Sequence, residues 1–310
     1  MTLQSKLYTQ DLFGKLKPEK RVEIIKPREV KRNETLDLIV SGYEKGLENY
    51  ELYNEGKLKI KIPKDEYGGY YIAKLSAPSK IPSNNITEFS LLLEEHENKK
   101  YFEWFTGYYL SALINGSKDK DFRIITNYLS KTIDWIGYKN RKNIDVNGNA
   151  GGGVGLDMKK GTITINGNAG WGVGGGMEDG KITVNGNAGN WVGDSMKDGK
   201  ITVKGNAGNK VGYEMGGGKI TINRNAGNWV GWGMESGEIT INGNAGNWVG
   251  DEMKDGEITV NGNAGNEVGY EMKNGKIHLN GNYKSLSRDI YGGNIYHKDK
   301  LIVKGGRKLI

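Results

Sequence analysis

The chain contains no cysteine, which excludes disulfide bonds, thiolate metal sites and cysteine nucleophiles. It has only three histidines, His96, His278 and His297, and no two of them have the spacing of a metal-binding pair. No segment reaches the roughly 20 apolar residues that a membrane-spanning helix needs. The first 20 residues carry charges throughout, unlike a signal peptide. These absences predict a cytoplasmic protein without a membrane segment, a metal or a cofactor.

Proline is confined to the first 82 of the 310 residues, and the part that follows is rich in glycine and asparagine. This change of composition predicts at least two structural units. Residues 145–283 carry 15 acidic and 12 basic side chains, so the net charge of +7 comes from the two ends of the chain. A nucleic-acid-binding protein concentrates positive charge on its main body, so nucleic acid is a disfavoured partner.

Seven consecutive copies of one motif follow with a period of 19 residues: Asn-Ala-Gly-x-x-Val-Gly-x-x-Met-x-x-Gly-x-Ile-x-(Val/Ile/Leu). We number the copies as coils, and the positions within a coil from its first asparagine. The coils begin at Asn149, Asn168, Asn187, Asn206, Asn225, Asn244 and Asn263, and Asn282 opens an eighth that soon departs from the pattern. A short fixed period without insertions is typical of a solenoid, in which each repeat stacks on the one before it.

Each coil carries one segment with the alternation of a β-strand. In coil six, Ile258 and Val260 face one side of this segment and Thr259 faces the other. Valine and methionine are the other recurring apolar residues, and glycines mark the corners. Stacking in register predicts three buried columns: Val154, Val173, Val192, Val211, Val230, Val249 and Val268; Met158, Met177, Met196, Met215, Met234, Met253 and Met272; and Ile163, Ile182, Ile201, Ile220, Ile239, Ile258 and Ile277.

Asparagine recurs at the first position of every coil and, less regularly, at the eighteenth, as at Asn166, Asn185 and Asn261. In stacked β-structures, identical side-chain amides hydrogen-bond to the layers above and below. We therefore predict amide ladders along the solenoid. A ligand-binding role for these asparagines is the less favoured interpretation.

The predicted fold class is mainly β, a parallel β-helix of seven to eight 19-residue coils with caps at both ends. Caps are expected because the open end of a solenoid exposes unpaired strand edges. The predicted divisions are 1–95 for a small α+β domain, 96–143 for a helical pair that caps the first coil, 144–283 for the solenoid and 284–310 for a C-terminal cap or tail.

Local patterns indicate the elements of these caps. Apolar residues at spacings of three and four predict an amphipathic helix over about 120–138, and a row of aromatic residues predicts an earlier one over about 96–114. Residues 57–63 and 69–75 are interpreted as a β-hairpin. Residues 301–303, Leu-Ile-Val, predict a final edge strand.

The fifth residue of the coil varies within an otherwise uniform template, which indicates a surface position. Trp229 and Trp248 occupy it in neighbouring coils, so they are expected about 4.8 Å apart and able to stack. Lys210 occupies it one coil earlier, which predicts a cation–π contact. Together with aromatic residues three positions further along the coil, the candidate binding surface comprises Trp191, Lys210, Tyr213, Trp229, Trp232, Trp248 and Tyr270.

Three interpretations of this surface are open. The rings stack on one another and only stabilise the solenoid, or they form an interface with a protein partner, because such interfaces are rich in tryptophan and tyrosine. They also resemble a carbohydrate platform, for which nearby carboxylates would supply a catalytic pair. The candidate carboxylates are Asp194, Glu214, Asp251 and Glu252.

The repeat also carries a family resemblance. The segment Gly-Asn-Ala-Gly-Asn-Trp-Val-Gly-Asp-Glu-Met-Lys-Asp-Gly-Glu-Ile-Thr-Val at 243–260 resembles the GXGXG repeat shared by the carboxyl-terminal domain of the glutamate synthase large subunit and by the β-helix subunit of formylmethanofuran dehydrogenase. The resemblance covers about 145–283, with a weaker echo at 292–298. It implies a right-handed parallel β-helix that serves as a structural element of a large redox enzyme. It assigns no catalytic residue to this chain.

The sequence therefore predicts a non-catalytic scaffold or interaction subunit with protein partners, and the resemblance implies subunits of a redox enzyme as candidates for these partners. The alternative is a stand-alone protein that binds or cleaves carbohydrate through the aromatic and acidic surface. A homo-oligomer is compatible with both functions.

Overall fold

The computed structural model describes residues 30–64 and 66–309. Its dominant element is a single sheet of twelve strands that lie in chain order, and the first ten of them pair in parallel. The strands of the repeat recur every 19 residues, so each belongs to one turn of a parallel β-solenoid. The predicted solenoid is confirmed. With about nine turns between its ten parallel strands, it is longer than the seven to eight coils expected.

The parallel strands begin before the first coil and continue into the eighth. They are β1 (Asp121–Ile125), β2 (Asn143–Asn147), β3 (Thr162–Ile165), β4 (Lys181–Val184), β5 (Lys200–Val203), β6 (Lys219–Ile222), β7 (Glu238–Ile241), β8 (Glu257–Val260), β9 (Lys276–Leu279) and β10 (Asn294–His297). Their register follows the sequence repeat, because Ile182 of β4 pairs with Ile163 of β3 and with Ile201 of β5. Like residues therefore stand above one another along the solenoid.

The valine, methionine and isoleucine columns are all buried as predicted, with no member more than 1% exposed. A fourth buried column runs through position seventeen of the coils, as at Ile165 and Val203. Each buried aliphatic side chain contributes roughly 1.5–3 kcal/mol. A lone coil would leave both faces of its core layer in water, so this stabilisation depends on stacking.

Asparagine forms hydrogen-bonded ladders along the solenoid in two different ways. At position one, the side-chain oxygen of Asn168 accepts the backbone N–H of Asn187 at 2.8 Å. Position four, which was not predicted, makes the same bond, as from Asn228 to Asn209 at 2.9 Å. Amide-to-amide bonds occur at position eighteen, as from Asn185. The first-position ladder differs from the expected amide stack because its oxygens accept mainly from backbone N–H groups outside the strands, although Asn206 also donates its side-chain amide to Asn187 at 3.3 Å.

A helical unit precedes the solenoid. It contains α1 (Glu34–Asn54), α2 (Gly68–Ser76), α3 (Ser83–Ser90), a 3₁₀ helix (Leu93–His96) and α4 (Phe102–Gly116). The predicted hairpin at 57–63 and 69–75 is wrong, because the second segment lies in α2 and buries Tyr70, Ile72 and Ala73 at helical spacing.

No strand lies within the described part of the predicted α+β domain, residues 30–64 and 66–95. This region is therefore helical rather than α+β. The rest of that predicted domain, residues 1–29, lies outside the described residues.

The chain between α4 and β2 forms the N-terminal cap of the solenoid. The earlier predicted helix is confirmed as α4, but the helix predicted over about 120–138 is wrong, because β1 and a series of turns occupy that segment. Phe122, Ile133 and Ile136 are nevertheless buried. These side chains are buried by an irregular extra coil, which adds β1 to the sheet. Helix α3 packs against that strand.

The C-terminal end closes by a reversal of strand direction. β11 (Lys300–Lys304) pairs antiparallel with β10, and β12 (Arg307–Lys308) pairs antiparallel with β11. The strand predicted at 301–303 is confirmed as β11, but it is not the final edge strand, because β12 pairs with its other side. Because β12 has only two residues, it leaves a short free edge. The buried side chains form one continuous core from Leu36 in α1 to Val303 in β11, so the helical unit and the solenoid share a core.

Candidate interaction face

Positions five and eight of the coil flank the buried valine and the glycine at positions six and seven. All seven predicted surface residues are half-buried, and we call them the aromatic face: Trp191, Lys210, Tyr213, Trp229, Trp232, Trp248 and Tyr270. Hydrogen bonds between coils fix the backbone here, because the N–H of Trp229 donates to the oxygen of Asn247 at 2.9 Å and that of Trp248 to Asn266 at 2.9 Å. Equivalent side chains therefore lie one strand spacing apart, about 4.8 Å.

The fifth position has an unusual backbone conformation in all seven coils. Its φ lies between +56° and +69°, in the left-handed region that residues other than glycine rarely adopt. Coils one and two have glycine there, whereas Trp191, Trp229 and Trp248 occupy it in coils three, five and six. The left-handed conformation costs a non-glycine residue about 1–2 kcal/mol. The tryptophans therefore stand where the backbone favours glycine.

The tryptophan and tyrosine rings form two groups. Trp229 and Trp248 stack face to face, with ring centroids 5.0 Å apart and an interplanar angle of 6°. This is the stack that the sequence predicted. Tyr213 makes edge contacts with Trp191 and Trp232, at centroid distances of 5.1 and 5.0 Å.

Lys210 connects the two ring groups. Its Nζ lies 4.1 Å from the ring centroid of Trp191 and 4.6 Å from that of Trp232. The centroids of Tyr213 and Trp229 are 5.3 and 6.0 Å away. The predicted cation–π contact is therefore present, but its nearest partners are Trp191 and Trp232 rather than the Trp229–Trp248 stack.

Tyr270 is not brought into either ring group. Asp251 occupies position eight between Trp232 and Tyr270, so the aromatic column is interrupted for one coil. A hydrogen bond to Glu271 and the charge of that carboxylate raise the pKa of the Tyr270 hydroxyl. The final part of the face is therefore acidic as well as aromatic.

Asp251 is the most unusual charged residue of the face. It is only 7% exposed, and its Oδ1 has no hydrogen-bond partner among the described residues. Burial, together with the charges of Glu252 and Glu271, raises the pKa of its carboxyl to about 6. Asp194 occupies the same position in coil three, and burial also raises its pKa. There, however, the hydroxyl of Ser195 donates to the carboxylate at 2.9 Å, and the charge of Lys210 favours ionisation.

Three further tryptophans extend this aromatic surface towards the helical unit and were missed by the sequence analysis. Trp135 stacks on Tyr108 of α4 with centroids 5.6 Å apart, and it makes an edge contact with Trp171 at 5.1 Å. Trp171 is 49% exposed and Trp104 is 48% exposed. Trp171 was detectable, because it occupies position four, where the five following coils have asparagine. Trp135 was not, because it lies outside the periodic region.

Trp135 also explains why coil one has no side chain at position five. Its ring lies over position five of coil one, where a Cβ on Gly153 would come within 2.1 Å of a ring carbon. The neighbouring Gly152 is similarly covered by the ring of Trp171, at 2.4 Å. Glycine is therefore required at position five of coil one, and the ring of Trp135 from the N-terminal cap takes the place of a side chain there.

The described residues contain no group of three His, Asp or Glu side chains placed to hold a metal ion. Each of the three histidines instead packs against a tyrosine ring, with centroid distances from 4.7 to 5.1 Å. No helix within residues 30–64 and 66–309 is both long and apolar enough to cross a membrane.

Comparison with known proteins finds no matching family model and no matching curated protein. Among solved structures, the chain is similar to one in the X-ray crystal structure of the formyltransferase/hydrolase complex (FhcABCD) from Methylorubrum extorquens in complex with methylofuran. The two are 27% identical, with a TM-score of 0.43, and the match covers 51% of this chain and 60% of that chain. This chain thus spans less than two thirds of the length of the protein it matches.

Proposed function

We propose that this protein is a non-catalytic scaffold or interaction subunit that binds a protein partner through the aromatic face. The observation that carries the proposal is the placement of Trp191, Trp229 and Trp248 in left-handed backbone. Tryptophan and tyrosine are enriched at protein interfaces and supply much of their binding free energy. The resemblance of the repeat to the β-helix of glutamate synthase and formylmethanofuran dehydrogenase makes redox-enzyme subunits the first class of partner to test.

Ring stacking alone does not account for these tryptophans. The attraction within the Trp229–Trp248 pair contributes about 0.5–1.5 kcal/mol. Holding two tryptophans in left-handed backbone costs about 1–2 kcal/mol each, so stacking does not exceed the backbone cost. The rings are also only half-buried, and part of their apolar surface still contacts water. A partner that covers this surface would provide the remaining burial.

Copurification from the native host with the tagged full chain tests this proposal. A stoichiometric partner should elute with the wild-type protein and be lost from the double variant Trp229→Ala/Trp248→Ala. Alanine keeps the backbone in the same conformational region without glycine's freedom, so this variant removes the rings alone.

The matched control is Thr240→Ala/Thr259→Ala, on strands β7 and β8 of the same two coils. This control should retain the partner. Elution of the wild-type protein alone, or retention of the partner by the tryptophan variant, would overturn the proposal.

Carbohydrate binding or cleavage by the same face is the alternative function. The observation that favours it is the Asp251 carboxyl, whose pKa is raised to about 6 beside aromatic residues. A raised carboxyl pKa is typical of the general acid in glycoside hydrolases, and Glu252 is the candidate second carboxylate. Glycan-array binding or sugar release that is lost in Trp229→Ala and Trp248→Ala would support this function. An array without a bound glycan, together with no hydrolysis, would count against it.

A further inference from the structure

We propose that the end of the aromatic face formed by Trp248, Asp251 and Tyr270 binds an arginine side chain presented by the protein partner. This inference rests on the proposed function, because it names the chemistry by which the partner is recognised. Two observations lead to it: a near-duplicate of the same site that contains its own cation, and a buried carboxylate without a partner.

The near-duplicate lies in coils three and four. Trp191 and Asp194 stand at positions five and eight of coil three, as Trp248 and Asp251 do in coil six. The coils that follow each pair continue the match, because Tyr213-Glu214 in coil four corresponds to Tyr270-Glu271 in coil seven.

The principal difference is the charge at position five of the second coil. Lys210 fills it in coil four, whereas Glu267 fills it in coil seven. The Lys210 Nζ packs 4.1 Å from the centroid of Trp191, and its charge favours the ionised form of Asp194. The later site has the same aromatic and carboxylate groups but supplies a further acid instead of the base.

Asp251 lacks two groups that accompany Asp194: the hydroxyl of Ser195, which donates to Asp194 and is replaced by Glu252, and the positive charge of Lys210. Its carboxylate is almost fully buried beside two other acids, and its Oδ1 has no hydrogen-bond partner among the described residues. The influences that raise its pKa are burial, Glu252 and Glu271. A buried carboxylate is stable as an anion only when it is paired. A cation supplied from outside would provide that pairing.

Arginine fits this site better than lysine does. Its planar guanidinium stacks on an indole ring and also donates two parallel hydrogen bonds to a carboxylate. Trp248 supplies the ring, since Trp229 stacks on one of its faces and Glu267 occupies the equivalent position in the next coil on the other side. Asp251 supplies the carboxylate three residues away, and Glu252, Glu267 and Glu271 add negative charge.

Titration of the full-length protein with the peptide acetyl-Gly-Arg-Gly-amide tests the inference, with the citrulline peptide as the neutral control. The indole N–H signal of Trp248 should shift and saturate with the arginine peptide alone. Glu267→Lys copies the lysine of coil four into the site, and it should weaken binding at least about tenfold. Conversely, the double variant Ser195→Glu/Lys210→Glu copies both differences into coils three and four, so it should create a second binding site and raise the stoichiometry from one to two.

The control for net charge is Glu257→Lys, which makes the same charge change at a position where β4, β5, β6 and β9 already have lysine. It should weaken binding by less than about threefold, since only screened long-range attraction changes. Equal weakening by Glu257→Lys and Glu267→Lys, or no shift of the Trp248 signal, would overturn the inference.

The two proposals fail separately. If the copurified partner is lost from Trp229→Ala/Trp248→Ala but retained by Glu267→Lys, the scaffold function stands and arginine recognition fails. If the arginine peptide binds as expected but no partner copurifies with the wild-type protein, the scaffold function fails while the chemistry of the site stands.

Discussion

At the scale of the single residue, position seven of each coil favours glycine for two reasons: its backbone conformation and the close approach of a neighbouring isoleucine side chain. Gly231 has a φ of +70°, and a Cβ added there would lie 2.4 Å from the Cδ1 of Ile258. Gly233, two residues later in the same coil, has a φ of +63°, but its nearest neighbour would be the flexible Cγ of Glu214 at 3.3 Å. The two glycines therefore share a backbone conformation and differ in the space around them.

This pair separates steric from conformational effects. We expect Gly231→Ala to lower the free energy of unfolding by about 1–3 kcal/mol more than Gly233→Ala, because overpacking of a core adds to the shared left-handed cost. Urea unfolding followed by circular dichroism measures the difference. Equal destabilisation by the two substitutions would show that the contact with Ile258 is relieved by movement of the coil.

The buried carboxyl of Asp251 predicts an unusual dependence of stability on pH. Its pKa is about 6 in the folded protein, against about 3.9 in an unfolded chain. Between these values the folded state binds more protons, so its contribution to stability falls as pH rises from about 4 to about 6.

Replacement of this carboxyl should remove that contribution. Relative to wild type, Asp251→Asn should gain stability as pH rises through this range, measured as the free energy of unfolding at a series of pH values. Asp255→Asn makes the same chemical change at an exposed position of the same coil and should keep the wild-type profile. A wild-type profile for Asp251→Asn as well would contradict the raised pKa.

At the scale of the element, the strands and helices that could be predicted from the sequence were mainly those within the 19-residue repeat. The strands β3 to β9 follow the repeat, because each copy of Ile-x-Val confirms the face assigned by the others. The helical unit has no such repetition. The apolar residues between Phe122 and Ile136 suit a helix by spacing alone, and only the pairing of β1 with β2 makes them a strand and turns.

The same limit applies to the aromatic face. The period gave the distance between Trp229 and Trp248 along the solenoid, and hence their stack. The period does not predict which way side chains point across a coil, so the contact between Lys210 and Trp232 was not predicted from the sequence. The burial of Asp251 was also missed, because a carboxylate at a surface position gives no sign in the sequence that its neighbours enclose it.

The C-terminal strands β11 and β12 cover the edge of the solenoid sheet, so their removal is expected to promote self-association. Removal of residues 298–310 would take away β11 and β12 and expose the edge of β10. Unpaired parallel edges promote association, so we expect this variant to form larger species as its concentration rises, measured by light scattering. A shorter truncation after Lys308 leaves both strands in place and should behave as the full chain does. An unchanged mass distribution for the longer truncation would show that β10 needs no cover.

At the scale of the whole molecule, the in-register columns predict that a coil can be removed only as a unit. Deletion of residues 168–186, the whole of coil two, joins Gly167 to Asn187 and keeps every column in line. This variant should remain folded and unfold cooperatively with a lower midpoint, since repeat stability is a sum over neighbouring repeats.

Deletion of residues 169–186 removes one residue fewer and is the matched control. The strand that follows the junction is then one residue out of register with the strands before it. A shift of one residue exchanges the two faces of a strand. This variant should lose cooperative unfolding by circular dichroism. Two variants of equal stability would show that the junction absorbs the extra residue, as a bulge does.

The fifth position of the coil keeps a φ between +56° and +69° whether it holds glycine, tryptophan, lysine or glutamate. The backbone conformation is thus the same whichever residue stands there, and from coil two onward each coil offers one side-chain position at a constant axial interval. Binding preference can then diverge through single substitutions along this row while the architecture behind it stays unaltered. Proteins built on the same coil need not share ligands, and the row itself is the part of the chain from which specificity should be read.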